Sequence, residues 1–92
     1  MSGREREAAQ RVQRLHLDGR VTLKMGFELG FVNNLASISR VEPERPMTGE
    51  QRAQLWRVAL ERGGEAGEHE LVRWAREELQ REVQAMKQQK LF

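Results

Sequence analysis

Only one stretch of this chain alternates apolar and polar residues in the manner of a β-strand. It runs from Val21 to Phe31, with glycine or polar residues between the apolar ones. No second alternating segment occurs to pair with it, and an isolated strand leaves its backbone hydrogen-bonding groups without partners. The sequence therefore predicts an all-α fold, a small bundle of about four helices. A strand at residues 20–26 survives only if a second copy supplies its partner.

Three other segments have apolar residues spaced by three and four, which predicts helices with one buried face. The first, residues 2–18, opens with a Ser-x-x-Glu capping box at Ser2 and meets a natural stop at Gly19. The next opens with a second capping box at Thr48, and we expect it to end at Gly63-Gly64. The last keeps one apolar face as far as Met86.

The alternating stretch also admits a helical interpretation, because apolar spacing becomes helical beyond Phe31. A helix beginning at about Thr22 would carry small residues on one face, namely Gly26, Gly30, Asn33 and Ser37. Such a face lets another helix approach closely. Gly26 and Gly30 are therefore candidate oligomer-interface residues, and a homodimer or a structural assembly subunit is one alternative. Two prolines then predict a loop over residues 40–47. We expect the third and fourth helices to form an antiparallel hairpin over this second segment.

The residues that would carry catalysis are missing or badly placed. Cysteine is absent, so thiolate nucleophiles and Cys-based zinc sites are excluded. His16 and His69 are 53 positions apart with no His-Glu-x-x-His spacing, and no serine lies in a Gly-x-Ser-x-Gly context. The acidic residues from Glu65 to Glu70 suit the dipole at a helix start better than a metal. We predict a non-enzymatic protein with no metal site and no cofactor.

Charge and hydropathy limit the partners and the cellular compartment that we expect for this chain. Sixteen basic and 14 acidic side chains are largely interleaved and leave a net charge of +2, so charge alone does not indicate a nucleic-acid partner. The first residues contain no apolar run typical of a signal peptide, and no later segment approaches the length of a membrane span. We expect a cytoplasmic protein with no membrane partner.

The last five residues, Gln88-Gln89-Lys90-Leu91-Phe92, resemble the short motif by which bacterial polymerases and repair proteins attach to the ring-shaped DNA sliding clamp. In that family of motifs a glutamine amide sits at the mouth of a pocket and the Leu-Phe pair fills an apolar cleft. The resemblance implies partner-binding roles for Gln88, Leu91 and Phe92, with Gln89 and Lys90 at permissive positions. It divides the chain into a helical domain, residues 1–87, and a protruding docking peptide, residues 88–92. The implied function is that of a regulatory binding protein in DNA replication.

Residues 20–62 resemble, more loosely, the ribbon-helix-helix family of dimeric DNA-binding repressors. Paired strands of that family enter the major groove, so the resemblance implies that Arg20, Thr22 and Lys24 face the bases. The chain departs from the family in three ways: an arginine-rich helix precedes the strand, a proline loop replaces a short turn, and a long fourth helix follows. Because of these departures, DNA binding is the alternative function and not the first one.

Overall fold

A computed structural model describes residues 1–89 of the chain. It contains four helices: α1 (Gly3–Leu17), α2 (Phe27–Val41), α3 (Gly49–Ala66) and α4 (His69–Gln89). No strand occurs in the residues that the structure describes, so the predicted all-α fold is confirmed. Residues 18–26 are irregular. Neither interpretation of residues 20–26 is therefore correct in this chain, because α2 begins only at Phe27.

Both predicted capping boxes are present. The Ser2 hydroxyl accepts a hydrogen bond from the Glu5 backbone N–H, and the Glu5 carboxylate accepts one from the Ser2 backbone N–H. Thr48 and Gln51 make the same reciprocal pair at the start of α3. Each box satisfies two N–H groups that a helix start otherwise leaves without partners. Gly19, with φ of 75°, follows the end of α1 as predicted.

The prediction that α3 ends at Gly63-Gly64 is wrong. The helix continues to Ala66, and Gly67 ends it in the left-handed conformation with φ of 71°. Gly63 instead lets α4 approach, because a Cβ there would lie 3.3 Å from a methyl carbon of the fully buried Leu71. Gly63 thus serves the packing of α4 against α3 and not a reversal of the chain.

The helices pack differently from the expected arrangement, because α1 and not α2 lies against the hairpin. As predicted, α3 and α4 form an antiparallel hairpin, with Gly63 against Leu71 at one end and Arg52 near Glu82 at the other. The chief neighbour of α3 outside this hairpin is α1, however, which also packs against α2. The apolar stripe of α1 is narrow but consists of fully or almost fully buried residues, so α1 takes the central position expected for α2. That stripe comprises Ala8, Ala9, Val12 and Leu15.

The irregular segment before α2 keeps the alternation seen in the sequence. Val21 and Leu23 are buried in the core, and Thr22 and Lys24 are exposed. Side chains satisfy the backbone here instead of a neighbouring strand, since the Leu23 N–H donates to the His16 imidazole and the Lys24 N–H donates to the Glu28 carboxylate. The alternating pattern here therefore accompanies side-chain hydrogen bonds and not strand pairing within the chain.

Candidate interaction surfaces

The side chains that the sequence offers for metal binding or catalysis are the acidic residues before α4 and the two histidines. Within residues 1–89 no group of three or more His, Cys, Asp or Glu side chains is arranged to hold a metal ion. The acidic residues that lead into α4 are each engaged by an arginine, in the pairs Arg62–Glu65 at 2.6 Å, Arg20–Glu68 at 2.7 Å and Arg11–Glu70 at 2.7 Å. His16 is half-buried and accepts a backbone hydrogen bond, while His69 is exposed at the start of α4. The three carboxylates and His16 therefore make contacts within the fold.

The most buried ion pair joins the start of α2 to α3. The Arg62 guanidinium donates to Glu28 at 2.7 Å, and the two side chains are only 7% and 12% exposed. Burial alone would raise the pKa of Glu28, but hydrogen bonds from Arg62 and the Lys24 backbone outweigh it and lower that pKa. The bonds to Glu28 and Glu65 raise the pKa of Arg62. Because Glu28 also accepts a hydrogen bond from the Lys24 N–H, it connects α3 to the start of α2 and to the irregular segment before it.

A second carboxylate, Glu5, ties the start of α1 to α3. It accepts a 2.8 Å hydrogen bond from Arg52 and is itself buried. Burial raises the pKa of Glu5, but the Ser2 backbone N–H and the Arg52 guanidinium lower it by more, so that the net direction is downward. The capping box and the ion pair thus share one carboxylate.

The two tryptophans have different roles. Trp56 is fully buried in the core, and its indole N–H has no hydrogen-bond partner among the described residues. Trp74 is half-buried on α4 and lies beneath two guanidinium groups of α1, those of Arg4 at 5.3 Å and Arg11 at 4.9 Å from the ring centroid. Neither tryptophan is displayed as an exposed anchor for a partner.

The three residues of the DNA-binding alternative are not brought together on a strand. Arg20 is directed toward the α3–α4 connection, where it donates to Glu68 and to the Ala66 carbonyl, both at 2.7 Å. Thr22 and Lys24 are exposed in the irregular segment. Arg20 is therefore part of an intramolecular contact in this structure.

The two candidate interface glycines do not share a helix face. Gly26 precedes α2 as its N-cap residue, with φ of 89°, so its role is conformational. Gly30 lies within α2 and is exposed, with no atom within 4 Å of the position of a Cβ. The predicted small-residue face is thus wrong at Gly26, because α2 begins later than the helical interpretation placed it.

A surface that sequence reasoning missed lies on the outer side of α2. Phe27 and Val41, at its two ends, are 69% and 75% exposed, and Phe31 and Ile38 between them are half-buried. The rings of Phe27 and Phe31 stack with their centroids 5.7 Å apart. The signal was available as apolar residues spaced by four and three along the segment. We call these residues, together with Asn34, the outer stripe of α2.

The end of α4 leaves the helical body. Glu82 lies 3.5 Å from Arg52, near the start of α3, and Val83, Gln84 and Ala85 beyond it are exposed. The helix continues to Gln89, through the boundary predicted between residues 87 and 88. Leu91 and Phe92 lie outside the described residues, and so does the side chain of Gln88.

Comparison with models of known protein families, with curated proteins and with solved structures finds no match for this chain. Among the helices described, none combines the length and the apolar character needed to cross a lipid bilayer.

Proposed function

We propose that this chain is a non-catalytic binding protein that docks on a protein partner through residues 88–92, and that the partner is the bacterial DNA sliding clamp. The observation that carries the proposal is the Gln88-x-x-Leu91-Phe92 pattern at the end of a helix that has left the body. Exposed residues 83–85 separate the pattern from the packed part of α4. A partner can therefore approach the end of α4 without disturbing the core.

The character of the body supports a binding role. Its buried charged groups, Glu5 and Arg62, pair with Arg52 and Glu28 in ion pairs that join helices, and the acidic residues before α4 are paired as well. Docking would then either recruit the body to the clamp or block the pocket against polymerases.

A five-residue motif gives modest affinity on its own, because ordering a short segment costs entropy and few side chains are buried. Most of the affinity should come from the Leu-Phe pair. Burying one such side chain contributes about 1.5–3 kcal/mol, so removing both should weaken binding by at least about a hundredfold.

The test is calorimetry of the full chain against a purified bacterial sliding clamp. The double variant Leu91→Ala/Phe92→Ala should lose binding, whereas the matched control Gln89→Ala/Lys90→Ala should keep it. Circular dichroism of both variants checks that the helices persist. Equal binding by the parent chain and the Leu91→Ala/Phe92→Ala variant, or no binding by any form, would overturn the proposal.

A further inference from the structure

Two glycines with a positive backbone angle φ lie near the ends of the irregular segment between α1 and α2. The angle is 75° at Gly19 and 89° at Gly26. Other residues rarely adopt such angles, whereas glycine passes into and out of them without a steric penalty. Hinges in proteins are a few residues of this kind at the ends of helices and loops. Residues 20–25 are therefore bounded by two positions at which the chain can change direction.

Two consecutive backbone N–H groups between these glycines are held by side chains from the flanking helices. The Leu23 N–H donates to Nδ1 of His16, in the last turn of α1, at 3.3 Å. The Lys24 N–H donates to the carboxylate of Glu28, in the first turn of α2, also at 3.3 Å. Both acceptors are titratable. In particular, Nδ1 accepts only while it carries no proton, and protonation of the imidazole turns it into a donor.

The two acceptors lose this ability at different pH values. Imidazole side chains change charge between pH 5 and pH 8. Burial alone would raise the pKa of Glu28, but hydrogen bonds from Arg62 and the Lys24 backbone lower it. Glu28 therefore keeps its charge until the pH falls below the ordinary glutamate value of 4.5. Mild acid thus acts on the contact of His16 and leaves that of Glu28 in place.

The charged groups on the elements around His16 are paired with one another or exposed. Arg20 pairs with Glu68, and Arg62 pairs with Glu28. The others are exposed, namely Arg14 of α1, Asp18 just after it, and Lys24. Within residues 1–89 no carboxylate lies within 4 Å of an imidazole nitrogen of His16. A proton on His16 therefore acts through the backbone hydrogen bond and not through an ion pair.

The residue that His16 holds is also the one that anchors the irregular segment in the core. The Leu23 side chain is only 1% exposed. We propose that His16 is an acid-sensitive latch on residues 20–25. The neutral imidazole holds Leu23 in place, and the protonated imidazole releases its N–H, so that the segment moves more freely about Gly19 and Gly26. Burial of Leu23 still favours the closed position, so the proton increases local opening without unfolding the chain. This device is independent of docking through residues 88–92.

Amide hydrogen exchange of the full chain, followed by NMR at pH 7.5 and pH 5.5, tests the proposal. The protection factor corrects for the pH dependence of exchange in an unstructured chain. At Leu23 it should fall by about fivefold at the lower pH, the effect of losing one hydrogen bond of ordinary strength. Amides in the middle of α3 should keep their protection. An equal protection factor of Leu23 at the two pH values would overturn the proposal.

Two histidine variants assign the effect to one residue. Asparagine carries an oxygen where histidine carries Nδ1, and it does not titrate. In His16→Asn the protection of Leu23 should therefore be the same at both pH values. The matched control is His69→Asn, because His69 is the other histidine and is exposed at the start of α4. It should reproduce the fall seen in the parent chain. A fall that persists in His16→Asn, or that disappears in His69→Asn, would refute the latch.

The tautomer of His16 gives a test that needs no variant. Nitrogen-15 chemical shifts of the imidazole in the parent chain at pH 7.5 distinguish a protonated nitrogen from a bare one. The contact with Leu23 requires a bare Nδ1 and a proton on Nε2. The opposite tautomer would exclude Nδ1 as the acceptor and overturn the proposal, whether or not His16→Asn folds.

Discussion

Replacing Arg62 with methionine would remove the charge that compensates Glu28 and leave that carboxylate 12% exposed beside the core. Breaking a buried pair by deleting one partner costs about 3–5 kcal/mol when the remaining charge is fully buried. Glu28 keeps some exposure and the hydrogen bond from the Lys24 N–H, so we expect a loss of about 2–3 kcal/mol. For a domain of this size that loss lowers Tm by about 10–20 °C.

The effect should depend on pH with a definite sign. The pKa of Glu28 is lowered in the folded protein, so the pair stabilises the fold fully above the ordinary glutamate value of about 4.5 and loses this contribution as pH falls through the folded value. In Arg62→Met the remaining effect of burial disfavours the charged carboxylate, and protonation relieves it. The difference in unfolding free energy between parent and variant should therefore shrink between pH 5 and pH 3.

Urea unfolding at pH 7, 5 and 3 measures this difference. Arg81→Gln is the matched control, because Arg81 is 76% exposed and its pair with Glu78 should contribute less than about 1 kcal/mol. A double-mutant cycle with Glu28→Gln isolates the coupling between the two residues. A cost of Arg62→Met no larger than that of the control, or a difference that does not shrink at pH 3, would refute the reasoning.

Two further predictions concern packing. Gly64→Ala should stabilise the protein by about 0.5–1 kcal/mol, because Gly64 is exposed inside α3 with no atom within 4 Å of its Cβ position. Gly63→Ala should destabilise the protein, because the added methyl group would press against the buried Leu71, and equal effects of the two variants in thermal melts would contradict the packing role of Gly63. Trp74→Ala should cost about 2–3 kcal/mol through lost burial and lost cation–π contacts, and Trp74→Phe clearly less. Fluorescence of the buried Trp56 reports unfolding of both Trp74 variants, and equal losses would exclude a packing role for the ring.

The starts of α1 and α3 were predictable to within one residue. A capping box needs only a hydroxyl and a carboxylate or amide three positions apart, so Ser2 with Glu5 and Thr48 with Gln51 carry the information locally. The single apolar face of α4 was predictable for the same kind of reason, since its spacing repeats over many turns.

The candidate surfaces divide in the same way. The terminal pattern of Gln88, Leu91 and Phe92 is visible in the sequence because a linear motif needs no fold. The spacing of the outer stripe of α2 is visible too, but its exposure is not, because apolar residues at helical spacing are compatible with a core face or with an exposed one. Only the burial of Val32 and Leu35 against the core shows which face of α2 remains open.

Tertiary structure also decided the points at which the local signals were ambiguous. Gly63-Gly64 has the composition of a helix stop, yet α3 continues to Ala66, and the absence of a Cβ at Gly63 leaves room for Leu71 of α4. Residues 20–26 have the alternation of a strand, yet the N–H groups of Leu23 and Lys24 donate to the side chains of His16 and Glu28 and not to a neighbouring strand. Capping and helical periodicity could be predicted from the sequence because they depend on neighbours a few positions away. The end of a helix that has no cap, and the face that a helix buries, depend on segments that are distant in the sequence. Those segments compete for the same limited apolar surface.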